Sequence, residues 1–140
     1  LNKLNINEPI YVEDESQNIG KIKIPIQFFK QMRIAKLYFI DIPKEERAKH
    51  LVTEYAKCDN EQLAKSIQNI SKRLGGLNTQ NSIKFLEDKN YYEVALLSLH
   101  YYDKYYLKGM NTRDNENVIQ IPLTSTNHYK NALEIEKLQK

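Results

Sequence analysis

Hydrophobic and polar positions along the chain fall into two kinds of run. Short runs with strand character lie near both ends, and longer runs with helical spacing lie between them. Pro9-Ile10-Tyr11-Val12 has high β-propensity and predicts a short buried strand over residues 9–14. It runs directly into three carboxylates and a hydroxyl, Glu13-Asp14-Glu15-Ser16, and then into Gln17-Asn18-Ile19-Gly20, which reads as a turn. Lys21-Ile22-Lys23-Ile24 alternates as a half-exposed strand does. Pro25 suits the first turn of a helix, and Phe28, Phe29 and Met32 are expected to face inward from it. Lys36-Leu37-Tyr38-Phe39-Ile40-Asp41-Ile42 is nearly continuous in apolar character, as in a parallel strand covered on both faces, and Pro43 ends it.

Helical spacing takes over after Pro43. Ala48, Leu51, Val52, Tyr55 and Ala56 recur at intervals of three and four within residues 44–57. Asp59-Asn60-Glu61-Gln62 has the form of a capping box. It opens a helix with Leu63, Ile67, Ile70 and Leu74 inward, and Gly75-Gly76 stops it. A short helix is expected at about residues 79–87. Asn90-Tyr91-Tyr92-Glu93 repeats the capping pattern ahead of a helix to about Leu107, with Val94, Leu97, Tyr101 and Tyr105 as its stripe. Residues 109–117 read as a polar loop and Val118–Leu123 as a strand. Thr126 or Asn127 caps a last helix carrying Tyr129, Leu133 and Leu138. Strands separated by helices predict the α/β class, here about three parallel strands plus a short edge strand, with a helical insertion over about residues 44–108 in a single domain.

Composition narrows the field. The 140 residues suffice for one domain with a core, and no apolar run approaches the ~20 residues of a membrane-spanning helix. The first residues lack the apolar stretch of a secretory signal. Because Leu1 comes first and strand character begins within ten residues, the chain reads as a piece of a longer protein. Cys58 is the one cysteine, which leaves no internal disulfide framework and no Cys-rich zinc site; a reducing, cytoplasmic setting is expected. The net charge is +3, but residues 1–20 carry one lysine and four acids, whereas residues 21–57 carry nine basic residues and four acids. An acidic strand end followed by a basic middle suits a phosphate-bearing partner with a divalent cation; a mixed surface is the plainer account.

Several chemistries have no residues to carry them. His50, His100 and His128 lie in different elements without metal-ligand spacing, and Cys58 beside Asp59 is disfavoured as a thiolate. Neither a nucleophile elbow nor a phosphate-cradling loop is present. Glu13, Asp14 and Glu15 remain as candidate catalytic acids, with Asp14 as a ligand for Mg²⁺ and Ser16 for phosphate, because ligands of parallel α/β sheets bind beyond the carboxyl ends of strands. Against this, Asp14 and Ser16 would cap a turn while the glutamates pair with cations. Arg47, in the first turn after Pro43, suits a phosphate clamp or an ion pair with Glu13 or Asp14. Lys72 and Arg73, at a helix C-terminus, suit phosphate or RNA backbone, or the helix dipole alone. Arg33 is ambiguous in the same way. Tyr102 and Tyr106 lie one position round from the α-helical stripe and could stack on bases, core packing being the plainer account.

An ordered set of short motifs resembles bacterial tRNA 2-selenouridine synthases. Tyr11-Val12-Glu13-Asp14-Glu15-Ser16 with Ile19-Gly20 looks like their V-E-D-E-S-x-x-I-G segment. Pro43-x-x-x-Arg47, Lys72-Arg73-Leu74-Gly75-Gly76 and His100-Tyr101-Tyr102-Asp103-x-x-Tyr106 follow in the family's order. Gln17 stands where arginine is expected, and Lys104 where proline is frequent. Residues beyond about 110 match nothing in the motif set. The resemblance implies part of a P-loop-NTPase-like domain, with a rhodanese-like domain and the P-loop itself upstream as partners. It implies replacement of sulfur by selenium at the wobble 2-thiouridine of tRNA through an S-geranylated intermediate, with geranyl diphosphate and selenophosphate as substrates. Such a fragment would contribute a phosphate- and metal-facing edge and tRNA contacts from Arg33, Lys72, Arg73 and Tyr102, without catalysing alone. A truncated P-loop small-molecule kinase and a noncatalytic RNA-binding module are the alternatives.

Overall fold

The computed structural model describes residues 9–14 and 16–138. A two-residue hairpin opens it: β1 (Asn18–Ile19) pairs antiparallel with β2 (Ile22–Lys23). Gly20 takes φ +60° at the first position of the connecting loop, a conformation that a tight hairpin needs and that glycine adopts without a Cβ penalty. The stretch expected to be only a turn is therefore half of a hairpin. Helix α1 (Ile26–Ile34) follows, with Pro25 at its N-cap, then strand β3 (Leu37–Asp41) and helix α2 (Lys44–Tyr55) with Pro43 at its N-cap. Each proline enters where its missing N–H costs nothing, since the first turn leaves those donors unpaired.

Four more helices precede the next strand: α3 (Asn60–Asn69), α4 (Ser71–Leu74), α5 (Gly76–Glu87) and α6 (Tyr91–Met110). The Asp59 carboxylate accepts from the Glu61 N–H, and Asn90 Oδ1 accepts from the Glu93 N–H, so the N-cap half of each expected capping box forms. Gly75 has φ +91° and separates α4 from α5. Strand β4 (Val118–Pro122) lies parallel to β3, with Leu37 opposite Val118 and Asp41 opposite Pro122. Helix α7 (His128–Lys137) closes the described chain, capped by Asn127, whose side chain accepts from the Lys130 N–H.

The core lies among the helices. Ile67, Leu74, Leu86 and Val94 form one buried cluster; Ala48, Ala95 and Leu99 form another, and the half-buried Tyr55 packs against both. Helix α6 serves both clusters, and its buried positions are Val94, Ala95, Ser98 and Leu99. Of the expected stripe Val94 is buried, Leu97 and Tyr101 are partly buried and Tyr105 is half exposed, because the core ends before the last turns of the helix. Burial raises the pKa of the Tyr55 hydroxyl, while its hydrogen bond with Ser98 acts the other way.

The strand layer is thinner than expected. Residues 9–14 belong to neither sheet, and Ile10, Tyr11 and Val12 are each more than half exposed. β-Propensity expresses itself only where a neighbouring strand and a covered face exist, and here the segment meets β3 through a tilted ring contact, with Tyr11 and Tyr38 centroids 6.0 Å apart. Among the described residues β3 has one partner strand, and it is half-buried rather than covered on both faces. Phe28 is 46% exposed, and burial on α1 is complete only at Met32 in its last turn. The result is a mixed α/β fold with a small parallel sheet, α2 to α6 occupying the chain between its two strands.

Ala48 and Ala95 are wholly buried where α2 and α6 meet. Ala95→Leu is expected to force the helices apart and cost about 1–3 kcal/mol, read as a lower urea midpoint with an unchanged denaturant slope. Substitution at the exposed Lys65 of α3 should leave the midpoint within about 0.5 kcal/mol of its original equivalent.

Candidate functional site

The acidic segment meets two arginines that lie far from it in sequence. Asp14 accepts from Arg33 Nη1 at 3.2 and 3.3 Å and from Arg113 Nη2 at 2.5 Å. The Arg113 side chain is only 3% exposed. Its Nη1 also donates to the backbone carbonyls of Met32, Arg33 and Ala35, at 3.2, 2.8 and 3.1 Å. A helix end leaves its last carbonyls without intrahelical donors, and the end of α1 is satisfied here by a guanidinium from beyond α6. Arg33 Nη2 donates in turn to the Gly109 carbonyl and Thr112 Oγ1, each at 3.0 Å. Asp14 thus balances two cations while tying residues 9–14, α1 and the segment after α6 together.

This arrangement does not fit the metal role expected of Asp14. Both of its oxygens accept from guanidinium groups, and among the described residues no three His, Cys, Asp or Glu side chains are grouped to hold a metal ion. Mg²⁺ prefers carboxylate oxygens left open beside several waters. Arg33 does not fit an RNA contact either, because its guanidinium is turned inward onto Asp14, Gly109 and Thr112. Glu13 is exposed, and Glu15 lies outside the described residues. Ser16 Oγ donates to the Asn18 carbonyl at 2.7 Å, a local turn bond rather than an open phosphate ligand.

Arg47 finds a carboxylate other than those the sequence offered. Its Nη1 and Nη2 grip Asp103 of α6 at 2.6 and 3.0 Å, and its Nε donates to the Ile42 carbonyl at 2.9 Å. The hydrogen bond to Asp103 raises the Arg47 pKa, against the lowering effect of burial. Three of the guanidinium's five N–H groups are thereby used. An open groove of about 1270 Å³ runs from residues 9–14 across β3 to this pair. Apolar side chains such as Val12, Tyr38, Phe39 and Leu107 line much of it, with Glu13, Asp14 and Arg47 also on its wall. At the carboxyl end of β3, Asp41 Oδ2 accepts from Gln120 Nε2 across the parallel pair at 2.8 Å.

The basic pair after α3 lies elsewhere. Lys72 and Arg73 are both exposed on α4, and Arg73 Nη1 donates to Tyr101 Oη of α6 at 3.3 Å. That bond is the main reason the Arg73 pKa is raised. Tyr102 is 45% exposed and packs its ring against Tyr101 at 4.9 Å. The structure therefore separates the predicted residues into a groove wall around Asp14 and Arg47 and an outer face around Lys72, Arg73 and Tyr101.

Four side chains that meet partners here are not assigned from the sequence. Arg113 stood in a presumed loop, and nothing local marks a cation whose partners lie about eighty or more residues away. Asp103 stood inside a quoted motif without a role; an acid flanked by tyrosines on a helix face was the available signal. His50 and His128 converge edge to face at 5.6 Å although they lie on α2 and α7. Cys58 is exposed, its thiol donating to the Glu54 carbonyl.

Fold and site together define a mixed α/β unit with arginine–carboxylate ties along a groove and a basic, tyrosine-bearing outer face. The family model described as the tRNA 2-selenouridine synthase AAA domain matches residues 1–134, and the chain belongs to that family. A tRNA 2-selenouridine synthase of Nitrosomonas europaea is 26% identical over 81% of this chain and 41% of its own length. Its namesake in Nitrosomonas eutropha is 25% identical, over 76% and 39%. One from Hahella chejuensis is 31% identical, over 58% of this chain and 26% of its own. The chain spans less than half the length of these relatives. No solved structure matches it. Among the described residues, no helix is long and apolar enough to cross a membrane.

Arg113 and Asp14 are expected to be strongly coupled. Arg113→Ala should cost about 3–5 kcal/mol, as removal of one partner from a buried pair does. A double-mutant cycle with Asp14→Ala, read by chemical denaturation, should return a coupling of about 1–3 kcal/mol. Additive single effects would show that the two groups act separately.

Proposed function

We propose that this chain is part of an enzyme that replaces sulfur by selenium at the wobble 2-thiouridine of tRNA, by way of an S-geranylated intermediate, with geranyl diphosphate and selenophosphate as substrates. The observation that carries this reading is the family match over residues 1–134. The motifs from Tyr11 to Tyr106 agree with it in kind and order. In this reading the unit is the later part of a P-loop-like domain, with α2 to α6 as its helical insertion. Its partners are tRNA and the rhodanese-like and P-loop segments of the same enzyme.

The geometry divides the work between the two regions. The groove between residues 9–14 and β3 is apolar for much of its length and ends beside Arg47. Arg47 has two N–H groups beyond those held by Asp103 and Ile42, and these can meet a phosphate oxygen without breaking the ion pair. Asp14 acts as a positioning residue through Arg33 and Arg113, and Glu13, like Asp41 and Glu136, is an exposed acid on the groove wall. No step is assigned to Mg²⁺, because the Asp14 oxygens are already engaged. Lys72, Arg73 and Tyr102 lie outside the groove and serve tRNA, the cations through its phosphates and the tyrosine through a base face.

The test is tRNA binding and turnover in the full-length enzyme that carries this unit. Lys72→Ala with Arg73→Ala should raise the KM for tRNA several-fold with little change in kcat. The same pair should also lower the slope of log affinity against log salt by about 1–2, as the loss of two phosphate contacts does. Unchanged KM and slope would remove the RNA role from this pair. Absence of selenouridine formation by an intact enzyme supplied with both substrates would overturn the assignment itself.

A further inference from the structure

Helix α6 is much longer than the core that it serves. Twenty residues span about 30 Å, but the fully buried positions end at Leu99. Beyond that point Tyr102, Tyr105, Tyr106 and Leu107 are each 42–50% exposed. The exposed half is also chemically polarised. On a helix, residues four apart share a face, so Tyr101 and Tyr105 lie one turn apart, with Lys104 and Lys108 a turn apart beside them. Arg73 reaches this face from α4 through its bond to Tyr101 Oη, and it interacts electrostatically with Tyr105 as well. Lys72 precedes it. Asp103, the one acid between Val94 and Arg113, is turned away and held by Arg47 of α2. Three cations, Arg73, Lys104 and Lys108, and two tyrosines therefore share a face to which this stretch of α6 contributes no carboxylate, with the exposed Lys72 next to Arg73 in sequence.

We propose that this face, built from Lys72, Arg73, Tyr101, Lys104, Tyr105 and Lys108, binds an unpaired stretch of RNA, with a base stacked on Tyr105 and phosphates held by Lys104 and Lys108. The inference rests on the reading that the enzyme acts on tRNA and narrows that reading to single-stranded RNA at a named surface. A duplex hides its base faces in the stack, so it would meet the lysines and leave the tyrosines unused. Unpaired nucleotides use both, because every base has a face that an aromatic ring can meet, and the backbone tracks the cations. The helix supplies what such a platform requires. Tyr105 is held at its edge by Tyr106, whose ring is perpendicular to it at 6.1 Å, while half of the Tyr105 surface stays open.

The experiment is fluorescence anisotropy of the full-length enzyme that carries this unit with three labelled probes: a tRNA, a short oligouridine, and an RNA duplex of the same length as the oligouridine. Oligouridine is expected to bind more tightly than the duplex. Tyr105→Ala should weaken oligouridine binding about tenfold, in line with the loss of one stacked base, whereas Tyr105→Phe should retain it. Lys104→Ala with Lys108→Ala should lower the salt slope by about 1.4, for two single-strand phosphate contacts. Tyr105 is half-exposed and belongs to neither buried cluster, so these variants keep the fold. If tRNA binds while Tyr105→Ala changes nothing and the duplex binds as tightly as oligouridine, this inference is overturned and the functional reading stands. If none of the three probes binds, both are overturned. If polyglutamate competes as well as unlabelled oligouridine, the face is a general polyanion or acidic-protein surface, and the inference again fails.

Discussion

Arg113 is the side chain on which the strand end of this molecule depends. Its guanidinium collects three carbonyls from the end of α1 and one oxygen of Asp14 while almost wholly removed from water. Burial of a charge is tolerable with a counter-charge and hydrogen-bond partners. Asp14 supplies the first and the helix end supplies the Nη1 partners, while Arg113 Nε is buried without a partner among the described residues. The dependence runs both ways. Without Arg113, the terminal carbonyls of α1 lose their donors and Asp14 keeps only Arg33. Without Asp14, a buried cation stands against carbonyl dipoles alone. Residues 9–14 have no ladder of backbone bonds to a sheet, so this ion pair is what fixes the groove wall.

A second tie of the same kind sits at the opposite end of the groove. Arg47 joins the start of α2 to α6 through Asp103 and to the end of β3 through the Ile42 carbonyl. Ala48, the next residue, is fully buried in the α2–α6 core. The ion pair and the apolar contact therefore reinforce one geometry: small side chains let the helices approach, and the fork of the guanidinium sets their register. Helix α6 passes through both parts of the molecule. Its first half is core, its middle carries Asp103, and the segment after its end delivers Arg113 to α1.

The helical half of the fold was legible because its determinants are local. Caps at Asp59 and Asn90, the stop at Gly75 and apolar spacing in α3 are read within a few residues. The strand half was less legible because its determinants are distant. Pro9-Ile10-Tyr11-Val12 carries every intrinsic mark of a strand, yet it belongs to no ladder because strand identity depends on a neighbour that sequence pattern does not locate. The site shows the same division. Arg33 and Arg47 are legible as candidate cations but their partners are not, and Arg113 is not legible at all, since these three reach carboxylates 19, 56 and 99 positions away. Lys72 and Arg73, near a helix end, were placed correctly because exposure there follows from local structure.

Those distances also decide which charges are available for chemistry. A cation gripped by a carboxylate inside the fold contributes its field but keeps few donors for a ligand, and its electrostatic reach is partly cancelled. Arg33 and Arg113 are of that kind, and Arg47 is intermediate with two donors left. Among the described residues no ion pair engages Lys72, Lys104 or Lys108, and Arg73 donates to a neutral phenol. A phosphate arriving from solvent meets these exposed cations first, at little desolvation cost to the protein. Asp14, in the acid-rich segment that dominates the sequence, thus does its work inward, holding the groove together. The charge presented outward comes from the plainer lysines of α4 and α6, whose significance lies in the tyrosines that the helix sets between them.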